Sequence, residues 1–445
     1  MSTGLKRASI EKAEKVRNRL LALTKSPGLS KVYLTILLAI SYNAILAIIN
    51  AHAMRISFPL VAATEFLVLL SVALIIYKEN LYTSDLPYIY FFVFFFTISI
   101  IISILNQKLF IDVIRNMLIV SLFLLLGRRF DKEAIIKIFL LMSSTILSVL
   151  ILELSALDIY AAIFKPAAYF ANTRGVAEFS LDESGLFRNA LGFEGRFSFG
   201  IFSTPRTSSI FLEQVSLANY AGVLSLFLLA LWPELKIQHR MLHLTLILLI
   251  ILSNNSRTSS FLFAICILGY FIYPRLPRYL NLAIAPIIVT IALYVFYSNP
   301  DARGDNFSGR VTHTAEKIVS METGDYFGLS ISQLYTLMDS GYPYIIYSST
   351  IFGMVVYWLF VCLVIPQYNS AQRRCAYGLS TYTFINLLIG GTAIFSIKVA
   401  APLWLLIGYM TMHHRQPSRE VKSRIGTYNH STTQSVGTLW PHQKG

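Results

Sequence analysis

Charged residues are scarce in this sequence. Only 13% of the 445 residues are charged, and the 23 Asp and Glu residues are fewer than the 31 Phe residues alone. A soluble fold of this size needs more polar surface than these residues can supply, so the composition excludes a cytosolic enzyme. The hydrophobic share of 55% and the mean hydropathy of +0.60 instead indicate a membrane protein.

Cysteine is also rare, and its placement excludes two kinds of site. Cys266, Cys362 and Cys375 fall in two apolar runs and one basic connector. They form neither a disulfide framework nor the spacing of a metal site, so we expect no metal and no cofactor. The net charge of +14 could suggest a nucleic-acid partner. Most Lys and Arg lie in short segments between apolar runs, however, so membrane topology explains the charge and we expect no nucleic acid.

Long apolar windows recur along the chain, each close to the length needed to cross about 30 Å of hydrocarbon as a helix. They predict an all-α fold, a polytopic integral membrane protein with about 12 transmembrane helices. The windows are 31–49, 59–77, 87–105, 110–126, 134–154, 208–232, 241–253, 259–273, 280–297, 344–365, 377–392 and 396–412.

Basic residues occupy every second connector, and Lys and Arg resist translocation to the outside. This pattern predicts that both termini are cytoplasmic. Residues 1–30 form a basic cytoplasmic segment, 31–412 the transmembrane domain and 413–445 a polar cytoplasmic tail. The same topology places the two long connectors, 155–207 and 298–343, outside. Loops of this length usually have a function of their own, so we expect the functional site there.

The first outer loop leads into the sixth window with two arginines and a carboxylate. Arg196 and Arg206 lie just before the membrane, and Glu213 is expected about two turns inside it. The spacing predicts that Arg206 and Glu213 share one helix face. An ionised carboxylate at that depth is costly without a partner, which makes Glu213 a candidate catalytic residue. Alternatively, Glu213 pairs with a basic residue of a neighbouring span and fixes packing.

Arg257 stands in the short outer turn between the seventh and eighth windows, within SNNSRTSS at 253–260. A cation there opposes the orientation rule, so we expect it to bind an anion. Its planar fork suits phosphate because it makes two parallel hydrogen bonds. The alternative is an arginine that caps a helix end and extends to the membrane surface.

The second outer loop supplies another arginine and two candidate bases. Arg310 and His313 lie three residues apart in a stretch that could be helical, and Asp339 stands just before the tenth window. His313 or Asp339 could accept a proton near neutral pH, and we prefer Asp339 because it adjoins a membrane span. The alternatives are a solvated His313 and an Asp339 that caps the following helix.

Several short motifs resemble those of the Wzy-type bacterial polysaccharide polymerases, a family similar to the O-antigen ligases. They are PRTSSIFLEQVSLANYAG at 205–222, NNSRTSSFLFA at 254–264, SGR at 308–310 and MDSGYPYIIYSSTIFGMVV at 338–356. The family's loop pattern of Arg, ten residues and Gly is met once, by Arg174 and Gly185. The ligases' outer His followed by Asn is replaced by Asp339 and Ser340, which favours a polymerase.

The resemblance implies polymerisation at the outer face of the bacterial inner membrane without a metal or nucleotide sugar. Polyprenyl-pyrophosphate-linked oligosaccharides in the lipid bilayer would be the substrates, in exopolysaccharide or O-antigen synthesis. Further partners would be a chain-length regulator and export machinery. The expected substrate-binding residues are Arg174, Arg196, Arg206, Arg257 and Arg310, and the expected catalytic residues are Asp339, His313 and Glu213.

Two other functions remain open at this stage. An O-antigen ligase would transfer the glycan instead of extending it. A transporter or flippase for lipid-linked sugars would share the span count and use Glu65, Asp112 and Arg115. We find no internal repeat of the kind that many transporters carry.

Overall fold

The structure, a computed structural model, describes residues 27–79, 81–175, 185–187, 190–191, 197–202, 205–304, 306–337 and 340–412. Within these ranges the chain is helical and contains no β-strand. The prediction of an all-α membrane protein is confirmed at this level. Two of the predicted site residues, Arg196 and Asp339, and the segments 1–26 and 413–445 lie outside the described residues.

The helices fall into two groups along the chain, before and after the segment 175–213. Those of the first half are α1 Pro27–His52, α2 Phe58–Lys78, α3 Leu86–Leu105, α4 Asp112–Gly127, α5 Lys132–Ser155, α6 Leu157–Phe164 and α7 Pro166–Arg174. Those of the second half are α8 Gln214–Leu231, α9 Ile237–Asn254, α10 Arg257–Ile272, α11 Ile284–Ser298, α12 Phe307–Val319, α13 Thr323–Tyr326, α14 Gly341–Leu363, α15 Ser370–Ile389 and α16 Ile397–Met412.

Nine helices within the described residues are long and apolar enough to cross a membrane, and α16 is a shorter apolar helix. The protein is therefore a multi-pass membrane protein. Each of the twelve apolar windows contains a helix, although α4 and α15 are not among the nine. The predicted start of the sixth window, at 208, is wrong because α8 begins only at Gln214.

The centre of the helix bundle is formed by α8, α15 and α16, whose residues are nearly all buried. Small residues let α4 and α16 approach closely. A Cβ at Gly127 would lie 2.1 Å from the carbonyl oxygen of Leu405, and a Cβ at Gly408 would lie 2.0 Å from that of Leu124. Such contacts are typical of helices packed within a membrane, where small residues let backbones touch.

Large apolar side chains are exposed on the peripheral helices α2, α3, α10 and α11. Phe66 is 60% exposed, Ile104 70%, Phe271 61% and Tyr294 73%. In water, such a surface would aggregate, whereas against lipid tails it is the expected outer face.

A buried cluster of charges joins α3, α4 and α16. Asp85, which is fully buried, accepts hydrogen bonds from Arg128 Nε at 2.7 Å and Arg129 Nη2 at 2.8 Å. Arg128 also donates through Nη1 to Thr411 Oγ1 at 2.8 Å, which connects the cluster to α16. A buried carboxylate that is paired with two buried cations holds these helix ends in one arrangement.

The two long connectors contain short helices. The first carries α6 and α7, which are separated by Lys165 in a left-handed conformation with φ of 39°. The second carries α12 and α13 and a 3-10 turn at Ile331–Thr336. The expectation that the stretch around Arg310 and His313 could be helical is confirmed by α12.

Candidate functional site

The segment that leads into α8 is irregular, and this corrects one prediction. Residues 205–208 form no helix, and Ser209–Phe211 make a single 3-10 turn. Ser209 and Leu212 have positive φ values of 48° and 59°, which interrupt any continuous helix. Arg206 and Glu213 therefore do not share a helix face, because the backbone turns between them. Glu213 is the residue immediately before α8 and does not lie two turns within it.

A buried carboxylate from α5 holds this irregular segment in place. Glu153, only 3% exposed, accepts hydrogen bonds from the backbone N–H groups of Ser208 at 3.0 Å and Ser209 at 2.7 Å. The hydroxyl of Ser208 donates to the same carboxylate at 3.1 Å. These bonds satisfy N–H groups that a helix would otherwise pair with its own carbonyls. Glu153 thus fixes the chain that carries Arg206.

The turn between α9 and α10 packs against the same segment. The amide of Asn254 donates to the carbonyl oxygens of Thr207 at 2.6 Å and Gln214 at 3.0 Å. The hydroxyls of Thr207 and Ser253 are 2.7 Å apart. Two motifs about fifty residues apart in sequence are therefore joined side by side.

Arg257 is the first residue of α10. The hydroxyl of Ser256 caps this helix by accepting a hydrogen bond from the backbone N–H of Ser259 at 3.2 Å. The guanidinium of Arg257 lies over the ring of Phe197, 5.1 Å from the ring centre. A cation at a helix N-terminus is opposed by the helix dipole, so this position gains from an anion beside it.

Arg310 reaches the site from α12. Its Nη1 donates to the carbonyl oxygen of Ile389, the last residue of α15, at 2.9 Å. Thr314, one turn further along α12, donates to the carbonyl oxygen of Leu388 at 2.7 Å. These contacts hold α12 against the end of α15 and fix the direction of Arg310.

These elements enclose a cavity of about 530 Å³, which we call the arginine cavity. Arg206, Arg257 and Arg310, three of the expected substrate-binding residues, all line it. Its walls also include Gln214, Asn219, Asn254, Asn255, Ser256, Thr258, Ser259, Phe261, Asn306, Phe307 and Asn386. The described lining contains no Asp, Glu or His.

The electrostatics of the arginine cavity favour an anion. Three guanidinium groups line it, and the N-terminal ends of α8, α10 and α12 contribute to its wall. Helix N-termini carry partial positive charge and unpaired N–H groups. Gln214 is only 3% exposed, and neither polar atom of its side chain has a hydrogen-bond partner among the described residues. That amide is available to a ligand.

Glu213 lies outside this lining and is paired with two cations. Its carboxylate accepts hydrogen bonds from Arg174 Nη1 at 2.9 Å and from Lys398 Nζ at 3.1 Å. Burial alone would raise the pKa of Glu213, but the Lys398 ammonium and the Arg174 guanidinium outweigh it and hold the pKa below its usual range. A carboxylate of this kind is a weak proton acceptor. Its geometry matches the alternative that Glu213 pairs with a basic residue of a neighbouring helix.

Two other predicted residues that the structure describes, Arg174 and His313, do not line the cavity. Arg174 pairs with Glu213 and lies over the ring of Phe170 at 4.6 Å. His313 is half-buried on α12, and its Nε2 has no hydrogen-bond partner among the described residues. Its role as a base stays a prediction.

The sequence analysis did not identify three polar residues of this region. Glu153 and Lys398 are each a charge within an apolar window, and Gln214 follows directly on Glu213. A lone charge in a predicted span is a usable signal, because it requires a partner.

No family model, no curated protein and no solved structure matches the chain. Among the residues that the structure describes, no group of three or more His, Cys, Asp or Glu side chains is arranged to hold a metal ion.

Proposed function

We propose that the protein polymerises polyprenyl-pyrophosphate-linked oligosaccharide repeat units at the outer face of the bacterial inner membrane, as the resemblance to Wzy-type polymerases implies. The observation that carries this proposal is the convergence of Arg206, Arg257 and Arg310 on one cavity. These arginines come from three separate parts of the chain. Three guanidinium groups at one space attract an anionic ligand, since each contributes a favourable interaction with negative charge.

The chemistry of the proposed reaction matches this charge. The hydroxyl oxygen of one repeat unit attacks the anomeric carbon of the sugar at the carrier end of the growing chain. A new glycosidic C–O bond forms, and the bond from that carbon to the pyrophosphate oxygen breaks. Polyprenyl pyrophosphate leaves with the electron pair, and a base takes the hydroxyl proton. Fixed cations beside the departing oxygen stabilise the charge that develops there.

The size and walls of the arginine cavity suit such a ligand. About 530 Å³ lies within the usual range of ligand sites, between about 300 and 1,000 Å³. The amide of Gln214 is placed to hydrogen-bond a sugar hydroxyl, and Phe261 and Phe307 offer apolar surface to a sugar ring.

We propose Asp339 as the base that accepts the hydroxyl proton. The cavity's described lining supplies no carboxylate or imidazole, so the base must come from elsewhere. Asp339 directly precedes Ser340, the N-cap residue of α14, and Ser340 is 3.2 Å from the hydroxyl of Thr314 on α12. His313 is the alternative base.

The proposed function requires a particular membrane disposition. All twelve apolar windows would cross the inner membrane, including the shorter helices α4, α15 and α16. Both termini would be cytoplasmic, and the connectors 155–207 and 298–343 would lie outside. The arginine cavity, built from the end of the first connector and from α12, would then open to the outer side.

The test is a polymerisation assay with purified protein in liposomes. The substrate is a fluorescent polyprenyl-pyrophosphate-linked repeat unit, and the readouts are the length of the glycan and the polyprenyl pyrophosphate released. We expect a ladder of products with one carrier released for each bond. Transfer only to a separate lipid acceptor would indicate a ligase, and movement across the bilayer without bond formation would indicate a flippase. Either result would overturn the proposal.

A further inference from the structure

A second space, which we call the apolar pocket, lies between α8, α9 and α10. It has a volume of about 340 Å³, and its walls include Leu228, Trp232, Leu244, Phe263, Tyr270 and Phe271. It follows the arginine cavity along these helices. The lining of the arginine cavity reaches Asn219 on α8 and Leu262 on α10, and that of the apolar pocket begins at Ser225 and Phe263. The apolar pocket therefore lies nearer the C-terminal end of α8.

Two arginines border the apolar pocket. The guanidinium of Arg240 lies 5.0 Å from the ring centre of Trp232, and that of Arg374 lies 4.1 Å from the ring centre of Tyr270. Both rings belong to the pocket wall. Arg240 is in the first turn of α9 and Arg374 in the second turn of α15, where the helix dipole adds positive potential.

These arginines have buried donors that the described protein does not satisfy. Nε of Arg240 and both Nε and Nη1 of Arg374 are buried without a hydrogen-bond partner among the described residues. Buried N–H groups without an acceptor are costly, and a ligand that supplies acceptor oxygens would satisfy them. Glu234, a nearby acidic residue, is paired with Lys132 at 2.8 Å.

We infer that the apolar pocket binds an anionic phospholipid. One acyl chain occupies the pocket, and the phosphate lies against Arg240 and Arg374. The nearly apolar walls exclude a soluble anion as the whole ligand, whereas the two cations at the pocket wall favour an anionic headgroup over a zwitterionic one. Basic sites between membrane helices near one surface of the bilayer are typical binding sites for acidic lipids. This inference is independent of the proposed function.

The experiment is native mass spectrometry of the purified full-length protein with added phosphatidylglycerol or phosphatidylcholine of identical acyl chains. We expect the protein to retain phosphatidylglycerol selectively. The double variant Arg240→Gln/Arg374→Gln should bind it roughly 30-fold more weakly, given the usual contribution of two basic residues near a membrane surface.

The matched control is Lys78→Gln/Arg278→Gln, which makes the same change of charge in two other connectors. Arg278 also lies over an aromatic ring, that of Tyr279, at 4.7 Å, but neither Lys78 nor Arg278 lines the apolar pocket. Its phosphatidylglycerol binding should match that of the unaltered protein. An equal loss in both double variants would overturn the inference, because general surface charge would then explain binding.

A third variant keeps the test decisive if the arginine variant does not fold. Leu228→Trp retains both arginines and fills the pocket, so it should lose phosphatidylglycerol binding. Unchanged binding in this variant would contradict the inference. Equal retention of phosphatidylcholine would also contradict it, as would displacement of phosphatidylglycerol by a polyprenyl phosphate at the same stoichiometry.

Discussion

Replacing cavity arginines by lysine separates charge from geometry. Arg257→Lys and Arg310→Lys keep a positive charge in the arginine cavity but remove the planar fork that holds two phosphate oxygens. If the arginines bind pyrophosphate, both variants should lose polymerase activity. They should not lose it equally, because the structure holds the two side chains differently.

The expected magnitudes follow from these surroundings. A hydrogen bond to a charged group contributes about 1.5 to 3 kcal/mol. Arg257 is exposed and lines the cavity, so we expect Arg257→Lys to lose about 1.5 kcal/mol of this contribution. That loss corresponds to a roughly tenfold lower rate. Arg310 is half-buried and is also held by the carbonyl oxygen of Ile389, so Arg310→Lys should lose on the order of 100-fold.

The assay is the rate of polyprenyl pyrophosphate release from lipid-linked repeat units, normalised to the amount of folded protein. The control is Arg303→Lys, whose side chain is 61% exposed and does not line the cavity. It should stay within about twofold of the unaltered protein, as surface substitutions usually do. Full activity in both cavity variants, or an equal loss in Arg303→Lys, would refute the reasoning.

Three further predictions concern single residues. Gln214→Leu should lower the polymerisation rate about tenfold with little change in stability, because the Gln214 amide lines the cavity and has no hydrogen-bond partner among the described residues. Asp85→Asn should lower the free energy of unfolding by about 3 to 5 kcal/mol in thermal unfolding, because it leaves Arg128 and Arg129 as buried, uncompensated cations. Glu213→Gln should lower the free energy of unfolding by about 3 kcal/mol at pH 7, because Lys398 is only 1% exposed and loses its partner. The folded state lowers the pKa of Glu213, so its ion pairs stabilise the folded protein fully above the unfolded-state pKa of about 4.3. This stabilisation declines as the pH falls from there through the folded-state pKa.

Matched variants distinguish these effects from general damage. Gln333→Leu changes an exposed amide and should leave polymerisation unchanged. Asp301→Asn removes an exposed carboxylate and should leave the unfolding temperature unchanged. Below pH 4.3, the free energies of unfolding of Glu213→Gln and of the unaltered protein should become more similar. If their difference stays the same, the pairing with Lys398 is not what stabilises the fold.

The helices could be predicted from the sequence because an apolar run long enough to cross a bilayer is a local property. Each window therefore contains a helix, and errors are confined to their ends. The start of α8 was wrong because a long-range contact decides it: Glu153 binds the backbone of Ser208 and Ser209 from 55 and 56 residues away. No local pattern in 205–213 reveals that partner.

The candidate site could be predicted in part for a similar reason. Arg206 and Arg257 were identifiable because each stands at the edge of an apolar run, and Arg310 because it lies in a long outer loop. Residues at the same membrane face can meet. The ion pairs of Glu213 were not identifiable. Arg174 is 39 residues away and Lys398 is 185 residues away, and neither separation follows a helical period.

The central claim is that the arginine cavity binds the pyrophosphate of the lipid carrier. The most direct measurement is a cryo-electron microscopy map of the protein in a lipid nanodisc with a non-hydrolysable polyprenyl-pyrophosphate-linked sugar. We predict phosphate density within about 3 Å of guanidinium nitrogens of Arg206, Arg257 and Arg310, the distance of a charge-assisted hydrogen bond. Density for the pyrophosphate beside Arg240 and Arg374 instead, with the arginine cavity empty, would contradict the account.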